Sequence, residues 1–214
     1  LVVDQANYFA FKVDDIDTRQ AQSGFRDSVS QGGGYKLAAT ADTYLSTAMA
    51  NAVDADNVLD PVSINVSSNA STAAAAAYET LVRLRAVLRT TETPDEGRWC
   101  VVSPEFYSVL LLDPRFVSAD AAGTTAGLRN GQVGRAAGFD VIESTRAPAN
   151  TVIAGHAMAT TYAEQISKVE AIRLESAFAD GLRGLHLFGA KVIRPEQLAK
   201  VTATVTGVLP DGES

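Results

Sequence analysis

Residues Ser28 to Ala50 read SVSQGGGYKLAATADTYLSTAMA, with Gly32, Gly33 and Gly34 in a row. Three consecutive glycines suggest either a phosphate-cradling loop or an interruption of a helix. The flanking pattern decides between them. Phe25, Val29, Gly33, Leu37, Ala41, Leu45 and Met49 recur every fourth residue, and on a helix such positions form one slowly drifting apolar row. The row passes through Gly33 without losing phase. The spacing therefore predicts a single helix from about Ala21 to Asn51, roughly 45 Å long at 1.5 Å per residue. The glycines cost it about 3 kcal/mol relative to alanines. A globular core seldom needs such a helix; a strut or spine does.

The phosphate-loop alternative fails on its own terms. That motif places a lysine directly after the last glycine, then Ser or Thr. Here Tyr35 intervenes and Leu37 follows Lys36.

Outward from the helix, the N-terminal stretch LVVDQANYFAFKVDDID alternates with period two and is rich in aromatic residues, which predicts a strand. After the helix comes a turn-rich connection with a short strand around Val62 to Val66. A helix capped by Ser71 or Thr72 then runs to about Thr90. On it Leu81, Leu84 and Leu88 can pack, and Glu79 and Arg83 form an i,i+4 pair. Arg98 to Val102 reads as a buried strand. Ser103, Pro104 and Glu105 have the N-cap, first-position and first-turn chemistry of a short helix, which Asp113-Pro114 stops. The segment from Ser118 to Gly138 carries five glycines and reads as a mobile or extended loop. FDVIES is a strand, and TVIAGHAMATTYAEQI is a strand followed by a helical or strand-like segment. SKVEAIRLE, GLRGLHLFGAKVI and AKVTATV alternate like sheet strands. The order predicts an α+β protein whose N- and C-terminal strands share a sheet.

The chain has 214 residues, is 46% hydrophobic and 20% charged, and carries a formal net charge of −7. That charge argues against a nucleic-acid reader held by phosphate contacts. It leaves open a shell that encloses nucleic acid without gripping it. No apolar run approaches the length of a membrane span. The single cysteine, Cys100, lies in the apolar run GRWCVV and reads as a small buried hydrophobe. Neither His156 nor His186 has ligand spacing to the other or to the cysteine, and His186, in the apolar strand GLHLFG, reads as a satisfied structural histidine. The carboxylates Asp14-Asp15 and Glu92, Asp95 and Glu96 read as solvated charge, because nothing apolar around them would split their pKa values. The loop GTTAGLRNGQVG could form an anion nest, but a flexible surface loop is the simpler reading. No catalytic constellation, metal or cofactor site is expected.

Five segments together resemble a known family: VDQANYFAFKVDDIDTRQAQ, the helix after it, VVSPEFYSVLLLDPRF, LRNGQVGRAAGFDVIES and ADGLRGLHLFGAKVIRPEQL. They look like the major capsid protein of tailed bacteriophages, the Hong-Kong-97-like fold that encapsulins also use. The resemblance covers nearly the whole chain in the right order. Its most specific part is the combination of NGxVGxxxGFDV with a late GAKVxRPE.

The resemblance implies a peripheral domain from residues 1–53 and 167–214, containing the spine helix, and an axial domain from residues 54–166. The loop with Arg129, Asn130, Gly131 and Gly134 would meet its copies around fivefold and sixfold axes. An N-terminal arm and most of an extended loop would precede Leu1. Glu170 and Arg173 match positions where some members place a salt-bridged pair at the threefold contact; a pair facing solvent on one strand is the alternative. Gly181 falls where cross-linking members have an asparagine, so no Lys–Asn isopeptide bond is expected, and denatured mature particles should run as monomers. The implied partners are the protein itself in pentamers and hexamers, scaffolding, portal and decoration proteins, and enclosed double-stranded DNA, with no membrane. An encapsulin-like compartment and an unrelated α+β enzyme are the competing readings. For Gly32, Gly33 and Gly34 the resemblance suggests a point where the spine helix flexes.

Overall fold

The period-two alternation at the N-terminus produces strand β1, Gln5–Asp14, and the four-residue apolar row produces helix α1, Phe25–Ala52. The computed structural model describes residues 2–14, 25–113, 134–173 and 179–207. Helix α1 continues through all three glycines. Gly33, Ala41 and Met49 of its row are buried, and Leu37 and Leu45 are half-buried. The start expected near Ala21 lies outside the described residues.

After α1 come β2 (Val58–Asn65), α2 (Ala70–Thr90), β3 (Arg98–Val102) and α3 (Pro104–Leu110). The remaining strands are β4 (Arg135–Ala136), β5 (Phe139–Glu143), β6 (Thr151–His156), β7 (Thr160–Arg173), β8 (Ala179–Val192) and β9 (Leu198–Thr206). They form a three-stranded sheet, β1-β8-β7, and a six-stranded sheet, β2-β9-β6-β3-β5-β4.

The chain divides into two compact units. One spans Leu1–Leu45 with Thr161–Lys191, the other Ser46–Thr160 with Val192–Ser214. In the first unit β1 and β8 run antiparallel, from Gln5 opposite Phe188 to Asp14 opposite Ala179. The expected sharing of a sheet by early and late strands thus holds for β8. The last strand differs: β9 lies between β2 and β6 in the six-stranded sheet. Residues 192–214 therefore fall in the second unit, as do residues 46–53, and residues 161–166 fall in the first. The physical reason is the inner side of β9, where Ala199, Val201 and Ala203 are buried in the second unit's core.

That core forms where α2 covers the sheet. Ala73, Ala77, Leu81, Leu84 and Leu88 make one helical stripe, and all are buried with Cys100, Val102, Val141, Val152 and Val201. Each fully buried leucine contributes about 1.5–3 kcal/mol. Phe106, Val109 and Leu110 of α3 close the same cluster.

Local chemistry sets the boundaries. The cap of α2 is Asn69 rather than Ser71 or Thr72; its side chain accepts from the Ser71 and Thr72 amides at 3.0 and 3.3 Å. Ser103 caps α3 as expected, accepting from the Phe106 amide at 3.3 Å. Strand β2 is longer than expected and shifts register against β9 between Leu59 and Val62. Pro61 lies in that interval and has no amide to donate to the ladder. At the other end of α1, Lys200 Nζ donates to the Ala50 carbonyl at 2.7 Å. It supplies a cation to a last turn with no basic residue of its own.

Candidate functional site

Among the described residues, no three His, Cys, Asp or Glu side chains gather as a metal-binding group, and no helix is long and apolar enough to cross a membrane. Cys100 is wholly buried and burial pushes its thiol up, well away from a reactive thiolate. Both ring nitrogens of His156 have partners. Its Nδ1 accepts from the Met158 amide at 3.1 Å, so Nε2 carries the proton and donates to the Glu96 carbonyl at 2.7 Å. Beside His156, Arg98 is buried, donating from Nε to Pro94 O at 2.7 Å and from Nη2 to Thr93 O. Its Nη1 faces Asp95 Oδ1 at 3.1 Å as an ion pair. Two side chains from the six-stranded sheet thus hold the 93–97 turn. Gly97 completes it, with φ of +78° and a β-carbon position 3.3 Å from His156 Nε2.

In the first unit the glycine run acquires separate roles. A β-carbon on Gly32 or Gly34 would meet nothing within 4 Å. One on Gly33 would stand 3.3 Å from the Cδ2–Cε2 edge of Phe9. The opposite, Cε1–Cζ edge of that ring lies against Gly184 of β8, leaving no room for a β-carbon there. Only the middle glycine is required by packing.

Next to this contact is a cleft of about 590 Å³, walled by α1 residues from Gly34 to Leu45 and by Phe9, Tyr162, Glu164 and β8 residues. Its walls are mostly apolar. Its described polar groups are Asp42, Glu164, Tyr162 and His186, with no lysine or arginine among the described lining residues. Tyr162 donates to Glu164 Oε2 at 2.9 Å, and His186 Nε2 is 3.4 Å from the same oxygen. His186 stacks on Phe188 at 5.0 Å between ring centroids. Its Nδ1 is buried and has no hydrogen-bond partner. Burial pushes the Tyr162 phenol up to about 12, helped by the hydrogen bond to Glu164 and by the charges of Glu164 and Asp42. Sequence reasoning missed this cluster, because its members come from one helix and two strands far apart in the chain.

The other candidates from sequence separate. Glu170 pairs with Arg183 across β7 and β8 at 3.0 Å. The Arg173 side chain lies outside the described ones. Arg129, Asn130 and Gly131, with most of the glycine-rich segment, also lie outside the described residues. Gly134 is described, and its carbonyl accepts from the Val141 amide at 3.3 Å. Glu79 and Arg83 form the expected exposed pair at 2.8 Å.

A long helix against a three-stranded sheet, joined to a helix-covered six-stranded sheet, is the architecture of the Hong-Kong-97-like shell proteins. Solved structures agree. One from Mycobacterium phage Che8 matches with a TM-score of 0.73 at 29% identity, covering 94% of this chain and 71% of that one. The mature capsid of bacteriophage PhiM1 matches at 0.66 and 19% identity, over 98% of this chain and 73% of that one. The holo-SrpI encapsulin complex from Synechococcus elongatus PCC 7942 scores lower, 0.57 at 10% identity, over 92% of this chain and 73% of that one. No curated protein sequence matches the chain. The model of the phage capsid protein family matches residues 2–201. The chain belongs to that family, and it is a structural, self-associating protein of the virion capsid rather than an enzyme.

Proposed function

We propose that this chain is the repeating subunit of an icosahedral head enclosing the double-stranded DNA of a tailed phage, built in the host cytoplasm from pentamers and hexamers. The unit with α1 and the three-stranded sheet serves as the peripheral domain. The unit with the six-stranded sheet serves as the axial domain, and the segment holding Arg129, Asn130, Gly131 and Gly134 meets its copies around the symmetry axes. Scaffolding, portal and decoration proteins are its partners. The observation that carries this reading is the family match over residues 2–201, joined to a two-unit fold shared with a phage structure at 29% identity. A net charge of −7 suits a wall that does not clamp packaged DNA. Glu170, already held by Arg183 within one copy, and Arg173 are the candidates for the threefold contact. The test is negative-stain microscopy of the protein expressed alone and with its scaffolding partner. Closed shells support the reading; monodisperse monomers under both conditions overturn it.

A further inference from the structure

We propose that the cleft beside α1 receives Ile193 and Arg194 of a second copy, so that copies join head to tail. The inference rests on the capsid reading above. Two observations carry it. First, the cleft is apolar along its walls, and its described lining holds two carboxylates, Asp42 and Glu164, but no lysine or arginine. Second, among the described arginine side chains, Arg83, Arg89, Arg98, Arg135 and Arg183 face carboxylates, Arg85 lies over Gly138 and Arg146 is half-buried, which leaves the exposed Arg194.

Arg194 is exposed beside Ile193, an aliphatic side chain left 59% exposed. An isoleucine suits the apolar wall, and a guanidinium suits the carboxylates. Guanidinium is favoured over ammonium because its planar fork can meet a carboxylate through two parallel hydrogen bonds. Such a contact is heterologous, one patch against a different patch, and heterologous contacts close into rings when the rotation permits.

The test is a charge exchange in the full chain, with folding checked by circular dichroism and assembly followed by light scattering. Asp42→Lys and Arg194→Glu should each raise the protein concentration needed for assembly at least ~tenfold, and the double variant should restore it to within ~threefold. Asp42→Asn, which keeps the side-chain shape, replaces Asp42→Lys if that variant misfolds; it should raise the threshold in the same direction. Normal assembly of the Asp42 variant overturns the docking while leaving the capsid reading intact. Loss with the Asp42 variant but not with Arg194→Glu means the cleft takes another occupant, and overturns it too. A double variant as defective as the singles has the same consequence. Wild-type protein that never assembles, alone or with its scaffolding partner, overturns both readings.

Discussion

Phe9 and Gly33 are in direct contact: the ring edge lies 3.3 Å from where a β-carbon on Gly33 would stand. The ring cannot retreat, because its far edge abuts Gly184. The three glycines of α1 are therefore not equivalent, although they sit side by side in one unbroken helix.

Alanine at Gly32 or Gly34 enters open space and removes backbone freedom from the unfolded chain. Each substitution should stabilise the protein by about 0.5–1 kcal/mol, read as a rise in the denaturant midpoint. If α1 flexes at these residues during maturation, the same variants should form heads that expand poorly. Normal expansion would leave Gly32 and Gly34 without a mechanical role.

Gly33→Ala sets the same helix gain of about 1 kcal/mol against overpacking of a wedged ring, typically 1–3 kcal/mol. Net destabilisation is expected. Combining it with Phe9→Leu should recover part of the loss, because the smaller side chain vacates the contested edge. Gly184→Ala should be the worst of the set, since its β-carbon overlaps the ring.

How much of this was legible beforehand depended on whether the signal was local. The row from Gly33 to Met49 announces α1, because helical periodicity survives a glycine. The stripe of Leu81, Leu84 and Leu88 announces α2 in the same way. The placement of β9 was not legible: the alternation of AKVTATV is the same whichever sheet it joins. Arg98 opens a run that reads as a buried strand, but only the fold reveals that its side chain holds the 93–97 turn. The cleft was hidden because Asp42, Glu164 and His186 become neighbours only once α1, β7 and β8 meet.

The contacts of Arg98 support a further prediction. Arg98→Met keeps the packing volume but leaves the Thr93 and Pro94 carbonyls without their donor. A loss of about 2–3 kcal/mol is expected. Arg98→Lys should recover little of it, since an ammonium lacks the fork that reaches both carbonyls and Asp95 together. Thermal unfolding of the three proteins checks this; a lysine variant as stable as wild type would show that charge alone suffices.

Cys100 should be silent in the native protein. With its thiol buried and pushed up, a thiol reagent at pH 8 should label it only at the rate of unfolding, then rapidly in denaturant. The same shift has a sign for stability. Below the ordinary thiol value of about 8.5, both states keep the proton and nothing is lost. Above it the unfolded chain ionises and the native one does not, so stability falls as pH rises. Cys100→Ala should lessen that alkaline loss.

Tyr162 extends the argument to higher pH. Its phenol ionises at about 12 in the native protein, against about 10 in an unfolded chain. The native state therefore holds this proton more tightly. Its contribution is intact below pH ~10, declines between there and about 12, and levels off once both states are ionised. The tyrosinate absorbance difference between wild type and Tyr162→Phe isolates the group and should rise near pH 12. Glu164→Gln removes the neighbouring charge while leaving an acceptor for the phenol. It should move that rise to lower pH without returning it to the unfolded value, because burial is the larger cause and persists. An unchanged rise would mean that Glu164 contributes nothing to the shift, and a full return would mean that the cleft does not desolvate Tyr162.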